Sequence, residues 1–171
     1  MQELEKYQFI YSNKDIYKTY GRTNHGKDSM KLVELVNPQS LLDVGCGYND
    51  FCNLVKEKLK INTIGVDFAC PGADIICDAQ NLPFYNKSFD LLTAFDMLEH
   101  LLPNQVLICL KEFSRVSSNF IFSICYAPSR ITCQGYNLHP TVNCEEWWIK
   151  QLYEAGAQEV NKYNNHIYGN W

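Results

Sequence analysis

No apolar run in this 171-residue chain approaches the ~20 residues that a membrane span needs, so no membrane association is expected. The first residues are polar and lack the apolar centre of a secretion leader. No two cysteines are spaced as CxxC, which argues against a zinc ribbon. Cys46, Cys77, Cys109 and Cys125 fall inside predicted strands, helices or a turn, where a free thiol acts as a small apolar group. A reducing, cytoplasmic setting is the expectation. No basic cluster is visible: 15 Lys and Arg are scattered among 19 acidic residues, for a net charge of −4. Nucleic acid is therefore not the expected partner, and a small molecule is. Repeats, linkers and low-complexity segments are lacking as well. Hydrophobic residues make up 46% of the chain, enough for one core, and residues 1–171 are expected to form one domain.

What is present begins at Leu41-Leu42-Asp43-Val44-Gly45-Cys46-Gly47, a short apolar strand running into an acidic residue and two glycines. Phe51, Leu54, Val55 and Leu59 then share one helical face. Strand, glycine turn and helix place exposed backbone N–H groups where a nucleotide could lie. A second strand, Ile61 to Val66, ends at Asp67-Phe68. Asp67 stands about 20 residues past the turn, the spacing of a ribose-binding carboxylate. A third strand, Ala73 to Cys77, ends at Asp78-Ala79. About seven residues, with Cys70-Pro71-Gly72 among them, separate these strands, too few for a full crossover helix. Helices are predicted from Lys27 to Val36, from Pro103 to Val116 and around Trp148, Leu152 and Ala155, the last closed by Gly156. Asn119 to Cys125 reads as a fifth strand, and Gln158 to Tyr163 with His166 to Trp171 as a terminal hairpin. Residues 1–25 have weak periodicity, and Tyr126 to Asn143 reads as a long irregular segment.

In this order the residues resemble the class I S-adenosylmethionine-dependent methyltransferases. Leu41 to Gly47 is similar to the family's first motif and Ile64-Gly65-Val66-Asp67 to its acidic second. Asp78 to Phe84 is similar to the third, and Phe89 to Leu101 to the fourth strand and the turn after it. The resemblance spans roughly residues 20–160. It implies an α/β fold: a doubly wound, mostly parallel seven-stranded sheet with a terminal antiparallel hairpin, helices on both faces, and a reduced helix between the second and third strands. It implies S-adenosylmethionine as cofactor and S-adenosylhomocysteine as product. The implied cofactor site comprises Asp43, Gly45, Cys46, Gly47, Asn49, Asp67, Phe68, Asp78, Ala79 and Phe95. Asp43 has a second reading, as a carboxylate bonded to the turn backbone. Asn49 stands where the family usually has a third glycine, and asparagine tolerates positive φ better than most residues.

Methyl transfer from a sulfonium is a direct displacement, so alignment of nucleophile, methyl carbon and sulfur is the leading catalytic requirement. The expected activity is transfer to oxygen or nitrogen of a small molecule. An RNA or protein acceptor is the alternative, although the chain lacks an Asn/Asp-Pro-Pro-aromatic run and a Pro-Cys nucleophile. A non-catalytic cofactor-binding subunit is the second alternative. Asp96, His100 and His139 are the candidate catalytic residues. No metal is expected; the alternative is a divalent-metal site at Asp96, Glu99, His100 and His139. Residues 1–25 are read as an arm or lid in which Tyr20, Arg22 and His25 reach the cofactor, Arg22 through a carboxylate. Tyr126, Arg130 and His139 are the candidate substrate contacts, with Arg130 clamping an anion. Self-association is left open.

Overall fold

The computed structural model describes residues 3–22 and 26–171. Two helices, α1 (Glu3–Ser12) and α2 (Gly26–Val36), precede strand β1 (Ser40–Val44). The chain continues through α3 (Asp50–Leu59), β2 (Asn62–Asp67), β3 (Ile75–Ile76), β4 (Phe89–Phe95) and α4 (Pro103–Val116). After β5 (Ser117–Ser123) come the short pair β6 (Thr132–Cys133) and β7 (Tyr136–Asn137), then α5 (Glu145–Glu154), β8 (Glu159–Tyr163) and β9 (His166–Asn170).

Seven strands form one sheet in the order β3-β2-β1-β4-β5-β9-β8. β1 lies between β2 and β4, parallel to both, with Asp43 level with Gly65 on one side and Thr93 on the other. β9 runs antiparallel to both β5 and β8. Buried parallel strands need apolar side chains on both faces, and this alternation divides the core. Leu41, Leu91 and Ile121 point to a layer with Leu32, Val33, Phe51 and Val55 from α2 and α3. Leu42, Leu92, Phe120 and Phe122 point to the opposite layer, with Val106, Leu110 and Phe113 of α4 and Trp148 and Leu152 of α5. Full burial of each such side chain is worth roughly 1.5–3 kcal/mol. The sheet is thus wound on both faces, with the crevice between β1 and β4 at its centre.

The link from β2 to β3 is a turn without a full crossover helix, as its length implies, but the structure departs from sequence expectation in three places. The third strand shrinks to two residues, and Asp74 just before it turns its Oδ2 to accept from the Gly65 N–H at 2.9 Å. The weakly periodic N-terminus forms α1, and the irregular segment contains the β6–β7 hairpin. These last two hold each other. Ile10 of α1 packs with Cys133 and Leu138, flanked by Tyr7, Phe9, Tyr17 and Tyr20. Among the described residues no helix is long and apolar enough to cross a membrane.

Candidate active site

The turn after β1 is anchored by two bonds to one carbonyl: the N–H groups of Gly45 and Cys46 reach Val66 O at 2.8 and 3.0 Å. Gly47 has φ +53°, and a Cβ there would stand 2.3 Å from the carbonyl oxygen of Gly21. The same Gly21 oxygen accepts from the Tyr48 N–H at 3.0 Å, so glycine at 47 is what lets the N-terminal arm rest on the turn. Asn49 takes the left-handed conformation, φ 64° and ψ 18°, as the N-cap of α3. Its Nδ2 donates to Gly72 O at 3.1 Å.

A cavity of about 340 Å³ opens at the carboxyl ends of β1, β2 and β4. On its floor Asp43 is buried and accepts from the Thr93 hydroxyl at 2.6 Å. Burial pushes its carboxyl up to about 7; the Thr93 bond acts the other way and the Asp67 charge adds to the rise. Asp67, at the end of β2, accepts four bonds. Ala69 N and Cys70 N reach Oδ1 at 2.9 and 2.8 Å, while Gly47 N and the Tyr11 hydroxyl reach Oδ2 at 3.1 and 3.4 Å. Phe68, Asp78 and Ala79 line the same side. Asp78 is exposed and closes a small turn by accepting from Gln80 N at 2.9 Å. Phe95 borders the cavity, but its ring packs edge-on against Phe51, 4.8 Å between centroids.

The opposite end is aromatic. Tyr7 and Tyr20 face each other at 6.5 Å, and both meet the edge of His100. The Tyr7 hydroxyl lies 3.1 Å from His100 Nδ1, and the His139 ring lies 4.7 Å from that of His100. Burial holds His100 neutral, pushing it down to about 3, with His139 and Lys6 adding to the shift. Just behind, Glu99 is wholly buried: its Oε1 accepts from Cys125 N at 3.0 Å and its Oε2 has no hydrogen-bond partner. Burial pushes Glu99 up to about 8. Asp96, at φ +49°, also lines the cavity and accepts from the Ser123 hydroxyl at 2.9 Å. The arrangement offers a nucleoside-sized slot with carboxylates at one end and imidazoles at the other.

Residues 22–118, more than half of the chain, match the family described as "Methyltransferase domain". The chain belongs to the S-adenosylmethionine-dependent methyltransferases of class I. It is 34% identical over 83 residues to demethylmenaquinone methyltransferase of Thermotoga maritima, covering 42% of this chain and 36% of that protein. It is 31% identical over 97 residues to "Probable tRNA methyltransferase 9B" of Bos taurus, covering 50% of this chain and 21% of that protein. The chain thus spans only about a fifth to a third of the length of these curated relatives. A solved S-adenosylmethionine-dependent methyltransferase from Archaeoglobus fulgidus shares the fold, with TM-score 0.60, 20% identity, and coverage of 85% of this chain and 76% of that one.

Within this chain the expected cofactor residues divide. Asp43, Gly45, Cys46, Asp67, Phe68, Asp78, Ala79, Phe95 and Tyr20 line the cavity. Asn49 does not: it points the other way, toward Gly72 and Gly65, and shapes the turn from behind. Gly47 serves the arm contact rather than the cavity wall. Arg22 departs from expectation, because Asp50 lies 3.2 Å from its guanidinium and the Tyr48 ring 3.9 Å beneath it. These partners hold it outside the cavity lining. His25 lies outside the described residues. Of the acceptor-side candidates, His139 lines the cavity, whereas Tyr126 and Arg130 are exposed and do not. Asp96, Glu99, His100 and His139 do not meet as four: the last three come together and Asp96 turns to Ser123. Sequence reasoning missed Glu3, Tyr7, Tyr11, Met97, Ser129 and Ile131, which complete the wall and roof. Their signal is tertiary, since α1 and residues 129–139 meet only on folding.

Proposed function

We propose that this methyltransferase acts on a small molecule, transferring the methyl group of S-adenosylmethionine to an oxygen or nitrogen. In this reading Asp67 accepts from the ribose hydroxyls and Phe68 and Asp78 flank the adenine. The methionine part lies over Gly45 and Cys46, near Asp43. The sulfonium then faces Tyr20, His100 and His139, where the acceptor binds. Residues along both walls hold methyl carbon and acceptor in line, and that alignment supplies the main rate term.

The observation that carries the reading is the roofed, acidic cavity. Glu3, Asp43, Asp67, Asp78 and Asp96 line it, and no Lys or Arg does among the described residues. Carboxylates suit a cofactor that bears a sulfonium and an ammonium. They disfavour a phosphate or carboxylate on the acceptor, because like charges brought together in a partly buried site repel. A roof of α1 and residues 129–139 leaves room for a compact acceptor, and a net charge of −4 supplies no general attraction for RNA.

The test uses the protein with methyl-labelled S-adenosylmethionine and two acceptor pools: neutral and amine-bearing small molecules, and total tRNA. Label recovered in the small-molecule fraction is the expected result. Label recovered in RNA alone would overturn the reading in favour of a nucleic-acid acceptor, and cofactor binding without transfer to either pool would favour a non-catalytic subunit.

A further inference from the structure

We propose that Glu99, His100 and His139 bind one divalent first-row transition-metal ion at the acceptor end of the cavity. Binding of the ion is argued from geometry alone; only its role in the reaction rests on the function proposed above.

One donor atom from each of the three residues lies within 4.8 Å of the other two. Donors around a single ion at ~2.0–2.2 Å stand at most about 4.4 Å apart, so the cluster closes by a few tenths of an ångström. Packing alone does not account for Glu99. Its side chain is fully buried, yet Oε2 has no hydrogen-bond partner, and an unsatisfied buried carboxylate oxygen is costly. A cation supplies what Oε2 lacks. The His139 imidazole is held as a ligand is. His139 Nδ1 lies 2.7 Å from the Ala127 carbonyl, a partner that requires Nδ1 to carry the proton and leaves the lone pair on Nε2. Tyr7 orients the His100 ring through its Nδ1 contact at 3.1 Å.

The donor set narrows the ion. Two imidazoles and one carboxylate suit zinc, manganese, iron or cobalt, whereas magnesium and calcium take oxygen donors. Position narrows the role. His100 and His139 line the cavity and Glu99 lies behind them, so the remaining coordination positions face the acceptor. A hydroxyl of the acceptor bound there becomes more acidic and releases its proton to water at the cavity mouth. Its oxygen pair forms the bond to the methyl carbon while the methyl–sulfur bond breaks. That electron pair stays on sulfur, and the ion keeps its oxidation state.

The experiment is a Co²⁺ titration of the whole, chelator-stripped protein, followed by visible ligand-field absorption, with Zn²⁺ as competitor. One saturating equivalent that Zn²⁺ displaces is expected, with affinity lowered roughly tenfold or more in both His139→Ala and Glu99→Gln. His139 lies on the roof, so its variant keeps the test usable if Glu99→Gln fails to fold. An absent band would overturn the site, and so would a band unchanged in His139→Ala, which would assign the ion to other donors such as the free cysteines. S-adenosylhomocysteine binding to the same preparation separates the two proposals. Cofactor bound without cobalt leaves the function and removes the metal, whereas cobalt bound without cofactor does the reverse.

Discussion

The hydroxyl of Tyr11 donates to Oδ2 of Asp67 at 3.4 Å, filling the last of four acceptor positions on that carboxylate. The other three bonds come from backbone N–H groups at 2.8–3.1 Å and belong to the turn itself. A ribose diol reaching Asp67 must therefore displace Tyr11, the longest and weakest of the four. Tyr11→Phe should bind S-adenosylhomocysteine more tightly, by up to ~1 kcal/mol or about fivefold, in a calorimetric titration. Weaker binding would mean that the hydroxyl contacts the nucleoside instead.

Asp67→Asn keeps one carbonyl oxygen for the backbone donors but loses the charge. Cofactor affinity should fall by about 1.5–3 kcal/mol, or roughly ten- to hundredfold, with a melting curve confirming that the variant folds. Unchanged calorimetric binding would rule Asp67 out as the ribose ligand.

Asp43 predicts a slope of stability with pH. Its carboxyl rises from an ordinary value near 3.8 to about 7 because it is buried. The folded state therefore holds a proton that the unfolded chain releases between these values. The resulting stabilisation is complete below the lower value and is lost as pH rises through the upper one. Asp43→Asn should flatten that decline in Tm across the acidic-to-neutral range. Thr93→Val, which removes the donor at 2.6 Å, should instead shift the decline to higher pH.

Gly47→Ala would set a Cβ 2.3 Å from the Gly21 carbonyl oxygen. The backbone cannot yield without breaking the Tyr48-to-Gly21 bond, and a left-handed alanine costs roughly 1 kcal/mol besides. The arm should lift from the turn. Faster amide exchange at Tyr48 and along α1, and quicker proteolysis within residues 3–22, are the expected readouts. Wild-type exchange at both places would show that the contact does not hold the arm.

Much of the frame was legible because its signals are local. Leu41 and Leu42 belong to opposite faces of a buried strand, and Phe51 and Val55 to one helical stripe. Pro103 and Gly156 mark a helix start and a helix end. The carboxylate at the close of β2 could be placed by spacing alone. What escaped depends on contacts between distant segments. Tyr7, Ile10 and Tyr11 share one face of α1, but the stripe is too short to stand out in a weakly periodic segment, and the tyrosines' partners, His100 and Asp67, lie far along the chain. Arg22 reads as a ligand for an anion until Asp50 and Tyr48 are seen to hold it. Asn49 occupies a position usually given to glycine and meets the same φ requirement, but only the fold shows its amide tying down Gly72. The grouping of Glu99, His100 and His139 was legible as residue types, while only the fold shows that Asp96 stands outside it and accepts from the Ser123 hydroxyl.

Among the described residues, the smallest of three hydrophobic clusters, Ile10 with Cys133 and Leu138, is the one that joins α1 to the β6–β7 segment beside the cavity. Fewer buried apolar side chains join α1 to that segment than join the sheet to its helices, so amide exchange in α1 should outpace exchange in β1 and β4. Separation of α1 from residues 129–139 would then uncover the cavity while every strand of the sheet stays in register.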